Sequence, residues 1–142
     1  MIVLDTTVLV YALGSEHPAR EPCRRLLAAA GEGRISATTT VEVVQEFVHV
    51  CGRRRPRSDA ARYGREYATL LGPLLAPGAA ELETGLELYE RYPELGAFDA
   101  VLAAAALSAR ARALVSADGA FASVAELAHV DPAGPELEAL LS

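Results

Sequence analysis

"LGAFDAVLAAAALSARARALVSADGAF", Leu95 to Phe121, sets an alanine-rich run beside a short β-branched one. The first part reads as a helix, since alanine and leucine are strong helix formers. The second, "ALVSAD", reads as a short buried strand. Asp99 stands at the head of the apolar helix and Asp118 closes the strand. A lone carboxylate is poorly tolerated against an apolar wall, so both positions need an explanation.

The same alternation extends outward in both directions. "MIVLD" at the start reads as a buried strand ending in Asp5. "PAREPCRRLLAAAGEG" places Leu26, Leu27 and Ala30 at helical spacing and stops at glycine. "RISATT" reads as a second strand. "TTVEVVQEFVHVCG" reads as a helix with Val43, Val44, Phe47 and Val48 on one face, and Thr39 with Glu42 fits a capping box. "RSDAARYGREYATLLGPLL" predicts a helix capped by Ser58, and "GAAELETGLELYERYP" one that ends before Pro93. "AHVDP" reads as a last short strand. Helices alternating with short apolar strands imply βαβ units and a parallel sheet covered on both faces.

With 142 residues and a hydrophobic fraction of 51%, the chain is expected to form one domain, residues 1–142, with a substantial core. No stretch resembles a signal peptide. The longest apolar run, around Val101 to Leu107, is far short of the roughly 20 residues that span a membrane. Cys23 and Cys51 lack metal-type spacing and read as buried, inert thiols of a cytoplasmic protein. The net charge of −6 argues against loose binding of nucleic acid. All thirteen basic residues are arginine, and Arg53, Arg54, Arg55, Arg57, Arg62 and Arg65 fall in one short stretch. That stretch is either a solvated loop and helix start or a hold on a nucleic-acid backbone.

In open parallel sheets, ligands sit beyond the carboxyl ends of the strands. Asp5 and Asp118 both close strands, Asp99 heads a helix that must begin at a sheet edge, and Glu42 and Glu46 open the helix after the second strand. Each acid also has a plain structural reading. Asp5 can cap a helix, Glu42 can complete a capping box, and Glu46 can face solvent. Asp99 can answer the helix dipole, and Asp118 before Gly119 can make a turn. Their convergence outweighs the separate readings, because three of the chain's five aspartates fall at one edge. Clustered carboxylates repel, and a divalent cation removes that conflict. Oxygen-only ligands suit Mg²⁺ or Mn²⁺, while His17, His49 and His129 are scattered and offer no zinc cluster.

Four stretches together resemble one family, and they span nearly the whole chain in that family's order. They are "MIVLDTTVLVYAL", "VVQEFVHVCGRRR", "LGAFDAVLAAAAL" and "LVSADGAF". The chain looks like a PIN-domain ribonuclease, specifically a VapC-type toxin of a toxin–antitoxin pair. Carried over, Asp5, Glu46, Asp99 and Asp118 match the family's four acids. Thr7 matches the small polar position two after the first acid, and Ser116 the hydroxyl two before the last, where relatives often carry threonine. The family's glutamate follows a strand-end hydroxyl residue by six positions. Ser36 would select Glu42 and Thr40 would select Glu46. Glu46 is preferred because "QEF" before an arginine run is the closer match, with Glu42 the second choice.

The resemblance implies a three-layer α/β/α sandwich around a short parallel sheet. It implies RNA as substrate, Mg²⁺ or Mn²⁺ held by Asp5, Asp99 and Asp118, a water activated by Glu46, a homodimer, and a VapB-type antitoxin as partner. Two other classes compete. A phosphoaspartyl phosphatase or receiver domain would need a lysine, which this chain lacks, and "DTT" lacks the phosphatase's second acid. A non-catalytic PIN-fold binding module would be expected to have lost acids, and all four are present.

Overall fold

A computed structural model describes residues 1–142. Four short strands, β1 (Ile2–Leu4), β2 (Ala37–Thr38), β3 (Leu114–Val115) and β4 (His129–Val130), form one sheet in the order β2-β1-β3-β4. Every pairing is parallel. Val3 lies opposite Thr38 on one side and Leu114 on the other, and Leu4 lies opposite Val115. Successive strand residues point to opposite faces, and Ile2, Val3, Leu4, Leu114 and Val115 are all buried, so both faces are covered.

The cover comes from two groups of helices. In the first, α1 (Thr6–Leu13) packs on α2 (Arg20–Gly31) and on α3 (Val41–Cys51), and α3 packs on α4 (Arg57–Leu70). The second is the pair α5 (Ala79–Arg91) and α6 (Ala97–Ser108), in contact along their length. A short C-terminal helix, α7 (Leu137–Leu141), leans on α2. The three-layer α/β/α arrangement expected from the sequence is present. Its core runs through the sheet and both helix layers, with Phe47, Phe121, Leu4, Leu9 and Leu26 among its fully enclosed side chains.

Helix α1 has no separate counterpart in the strand-and-helix pattern read from the sequence. "TTVLVYAL" is rich in β-branched residues, which disfavour helix locally. Burial overrides that preference: Thr6, Val8, Leu9 and Ala12 all face the interior. Two expected caps also differ. Thr40, not Thr39, caps α3, its hydroxyl accepting from the Val43 amide at 3.1 Å. The Thr39 hydroxyl instead donates to the Leu4 carbonyl at 2.6 Å and ties β2 to β1. Glu42 is therefore not a capping-box residue. Pro56, with φ −54°, stands at the cap position of α4, and Ser58 lies within the helix without a capping bond. Proline's fixed φ and missing N–H suit a helix start, which removes the need for a serine cap.

Two glycines set how closely helices approach. A Cβ on Gly64 would stand 2.5 Å from Val48 Cγ2, so α4 lies against α3 only with a bare backbone there. A Cβ on Gly85 would meet the Val101 backbone at 3.0–3.1 Å, which joins α5 to α6 at the helix that carries Asp99. Cys23 and Cys51 are free and buried as expected, and burial pushes the Cys23 thiol up to about 12, so it stays protonated and unreactive. No helix is long and apolar enough to cross a membrane.

Candidate active site

The strand order creates a crevice. The chain leaves β1 toward β2 on one side and leaves β3 toward β4 on the other. The two central strands therefore part at their carboxyl ends, where such sheets hold ligands. Asp5 follows Leu4, Ser116 follows Val115, and the register makes them neighbours across that gap. The Asp5 amide donates to the Val115 carbonyl and the Ser116 amide to the Val130 carbonyl, extending the ladder one residue beyond each strand.

Asp5 is buried, and its carboxylate is held rather than loose. Oδ2 accepts from Ser116 Oγ at 2.6 Å and from Thr7 Oγ1 at 3.1 Å. Each hydroxyl also accepts a backbone amide: Thr7 from Ala117 at 3.0 Å, Ser116 from Asp118 at 2.9 Å. These bonds give Thr7 and Ser116 a defined task, which is to orient Asp5 and to fix the turn leading to Asp118. Asp5 occupies the cap position of α1 but makes no capping bond with its side chain. The Ser116 carbonyl accepts from His129 Nε2 at 2.8 Å, so the β4 imidazole braces this turn from behind.

Asp118 combines its two readings. Its Oδ1 accepts from the Ala120 amide at 2.9 Å and caps a 3₁₀ turn, Gly119–Ser123. The residue is exposed at the mouth of the crevice. Asp99 lies in the first turn of α6 and is half-buried. Burial raises its carboxyl to about 7, with further contributions from the negative charges of Asp5, Asp118 and Glu46. Asp99 thus senses all three other acids at once, although they come from distant parts of the chain.

Glu46 lies on the second turn of α3, and its Oε2 accepts from Thr6 Oγ1 at 3.0 Å. Thr6 directly follows Asp5, so the first turn of α1 ties the glutamate to the aspartate. Glu42 is exposed, forms neither hydrogen bond nor ion pair with its side chain, and is not among the charges acting on Asp99. Two positions of this network, Thr6 and His129, are absent from the sequence-level site. The doubled threonine after Asp5 was the available signal for Thr6. Nothing local marks His129, because its role depends on the pairing of β3 with β4.

The donor set is entirely oxygen: four carboxylates with threonine and serine hydroxyls, and no imidazole nitrogen or thiolate facing them. That composition fits Mg²⁺ or Mn²⁺. The carboxylates are coupled but stand apart, as like charges do, and no three of them form a closed cluster.

The PIN-domain family profile matches residues 2–127. The chain is 56% identical over 142 residues to ribonuclease VapC7 of Mycobacterium tuberculosis, covering 99% of this chain and 98% of that protein. It is 35% identical over 101 residues to ribonuclease VapC23 of the same species, covering 70% of this chain and 78% of that protein. Among solved structures it resembles VapBC2 from Rickettsia felis bound to a DNA fragment from their promoter. The TM-score there is 0.72 at 18% identity, over 92% of this chain and 98% of the other. FitAcB from Neisseria gonorrhoeae matches with a TM-score of 0.69 at 19% identity, over 93% and 98%.

Proposed function

The chain belongs to the PIN-domain family, and on that premise we propose that it is an endoribonuclease, the toxin of a toxin–antitoxin pair, dependent on Mg²⁺ or Mn²⁺. The observation that carries this reading is the gathering of acids where β1 and β3 part: Asp5 is held by Ser116 and Thr7, Glu46 by Thr6, and the carboxyl of Asp99, raised first by burial, also feels Asp5, Asp118 and Glu46. Evenly spaced surface acids would not couple in this way.

Asp5, Asp99 and Asp118 would hold the cation. Bound there, it would lower the pKa of a coordinated water and offset the charge that develops on the scissile phosphate. The protein's own groups do the rest. Ser116 and Thr7 keep Asp5 aimed into the crevice. Glu46, oriented by Thr6, accepts a proton from the attacking water. His129 keeps the Ser116–Asp118 turn in register.

The partners follow the same reading. Homology to ribonucleases VapC7 and VapC23 supports RNA as substrate, and the likeness to VapBC2 supports a VapB-type antitoxin. A homodimer is supported by Leu82, Leu86 and Tyr89, which share one face of α5 and are exposed, and by Phe98 at the head of α6, 87% exposed. A cytoplasmic location is consistent with two free buried thiols.

The test is cleavage of single-stranded or looped RNA by the purified protein. Cleavage with Mg²⁺ or Mn²⁺ that stops in a chelator is expected. Cleavage that persists in excess chelator would overturn the metal mechanism, and no cleavage in either condition would favour a non-catalytic PIN-fold binding module.

A further inference from the structure

One strongly charged surface lies outside the acid crevice. Arg53, Arg54, Arg55, Arg57, Arg62 and Arg65 occupy the turn after α3 and the first half of α4, and all six are exposed. The segment from 53 to 66 holds six arginines against two acids, in a chain whose net charge is −6. Both acids, Asp59 and Glu66, are taken by Arg62, at 3.8 and 3.4 Å. Arg53, Arg54, Arg57 and Arg65 form no ion pair and no hydrogen bond with their side chains, so their charge is free for an anion. Arg55 and Arg62 set their guanidinium groups over the Tyr63 ring, 5.5 and 4.5 Å from its centre, which stiffens the middle of the patch. Arg62 and Arg65 also line a shallow groove of about 460 Å³ with Glu66, Thr69 and Leu70.

The patch has a fixed position relative to the acids. Helix α1 begins at Thr6, which holds Glu46, and ends at Leu13, whose carbonyl accepts from Arg55 Nη2 at 3.4 Å. Eight helical residues at 1.5 Å each place the patch about 12 Å from the acids. At roughly 3.4 Å per stacked nucleotide, that is about three or four nucleotides of single strand. The other flank is hostile to a polyanion: exposed Glu83, Glu87 and Glu90 lie along α5. A crevice built of carboxylates also repels phosphate. A strand reaching the acids therefore gains its attraction on the α3–α4 side.

We infer that the α3–α4 turn, through Arg53, Arg54 and Arg57, is a docking surface for the RNA backbone about three or four nucleotides from the scissile phosphate. It rests on RNA as the substrate, and it assigns a direction to the strand across the fold. The contacts are to phosphate, so they add affinity and register but no base preference.

The deciding measurement is the binding of a fluorescent polyuridine RNA of about 20 nucleotides, in chelator, over a range of salt. The wild type is compared with Arg53→Ala/Arg54→Ala/Arg57→Ala and with Arg112→Ala, which lies at the opposite edge of the sheet. Losing three phosphate contacts on a single strand should reduce the slope of log K against log salt by about 2, at roughly 0.7 per contact. Affinity near 0.1 M salt should fall about 10-fold or more, and Arg112→Ala should bind as the wild type does. Arg53→Lys/Arg54→Lys/Arg57→Lys should keep the slope, because a phosphate contact of this kind reads charge; a loss there equal to the alanine variant's would overturn the assignment. Under Mg²⁺, KM for the long RNA should rise while kcat, and cleavage of RNAs too short to reach the patch, stay unchanged. An unchanged slope and affinity in the alanine variant would overturn the proposal. So would intact RNA binding with loss of binding to a co-expressed antitoxin, which would give the surface to an acidic protein segment. A protein that bound RNA through this patch but cleaved nothing would overturn the nuclease reading and leave the surface standing.

Discussion

Asp99 is where burial and like charge act on a single proton. Its folded-state carboxyl lies near 7 against an ordinary 3.8, raised first by burial and then by Asp5, Asp118 and Glu46. The folded state therefore binds this proton more tightly than the unfolded chain. The associated stability is fully present below about 4 and is lost as pH rises through 7. In chelator, the melting temperature should fall between pH 4.5 and pH 7.5, and Asp99→Asn should flatten that fall. The same variant should abolish cleavage yet melt at or above the wild type at pH 7.5. A drop of several degrees would mean that Asp99 serves the helix start instead. The two glutamates separate in the same way. Glu46→Gln should lower turnover by about 10²-fold or more, the usual scale for a positioned base, with little change in stability. Glu42 neither caps α3 nor acts on Asp99, so Glu42→Gln should cleave normally and change stability by less than about 0.5 kcal/mol. A dead Glu42→Gln beside an active Glu46→Gln would assign the glutamate to the Ser36 register. Asp5, Asp99 and Asp118 were legible as candidates because each sits at an element boundary, where a charge in an apolar run stands out; Glu46, inside α3, was chosen over Glu42 only by resemblance. Thr6 was not, since its function is a bond to a residue forty positions away.

At the scale of elements, α6 must hold Asp99 over the crevice, and its seat is the contact with α5. Gly85 faces the Val101 backbone, which cannot yield as a side chain tip can. Gly85→Ala should therefore destabilise the fold by about 1–3 kcal/mol, the range for overpacking, and should lower turnover as well, because Asp99 is two residues from the displaced Val101. Gly64→Ala meets only the side chain of Val48, so although Val48 is two residues from Glu46 the α3 backbone need not move; the variant should destabilise by less than Gly85→Ala and spare turnover. Denaturant melts with matched cleavage rates distinguish the two; equal loss of turnover in both would sever the link between α5–α6 packing and the site. Periodicity was sufficient to find these long helices. It failed at α1, where threonine and valine oppose the helix and only burial of Val8 and Leu9 enforces it. It also misassigned the cap of α3, because Thr38, Thr39 and Thr40 are alike in sequence and are distinguished only by neighbours, and that of α4, where Pro56 takes the position expected of Ser58. Thr38 donates to the Leu71 and Pro73 carbonyls, Thr39 to Leu4, and Thr40 receives the Val43 amide.

Across the whole molecule, the clustered acids are a place where the fold opposes its own stability. A cation that binds the folded crevice and not the unfolded chain should raise the melting temperature in proportion to the logarithm of its concentration above Kd. Millimolar Mg²⁺ or Mn²⁺ should therefore stabilise the wild type and leave Asp99→Asn nearly unmoved. Equal shifts in both proteins would show that the ion binds elsewhere. The exposed face of α5 belongs to the same scale. Leu86→Glu should convert a dimer to a monomer in light scattering without lowering the melting temperature of the monomer, because Leu86 is 43% exposed. The sequence by itself determined the class of fold, since alternating apolar strands and amphipathic helices can bury their surfaces only around a covered parallel sheet. It also marked the acids that gather at one sheet edge, since carboxylates at the ends of apolar strands and at the head of an apolar helix stand out by residue type. The tertiary structure decided which of two glutamates acts on Asp99, which hydroxyls hold Asp5, and that the arginine turn is tied to the far end of the helix that begins beside the acids. Those are distances between residues remote in the chain, and they exist only once β1 and β3 lie side by side.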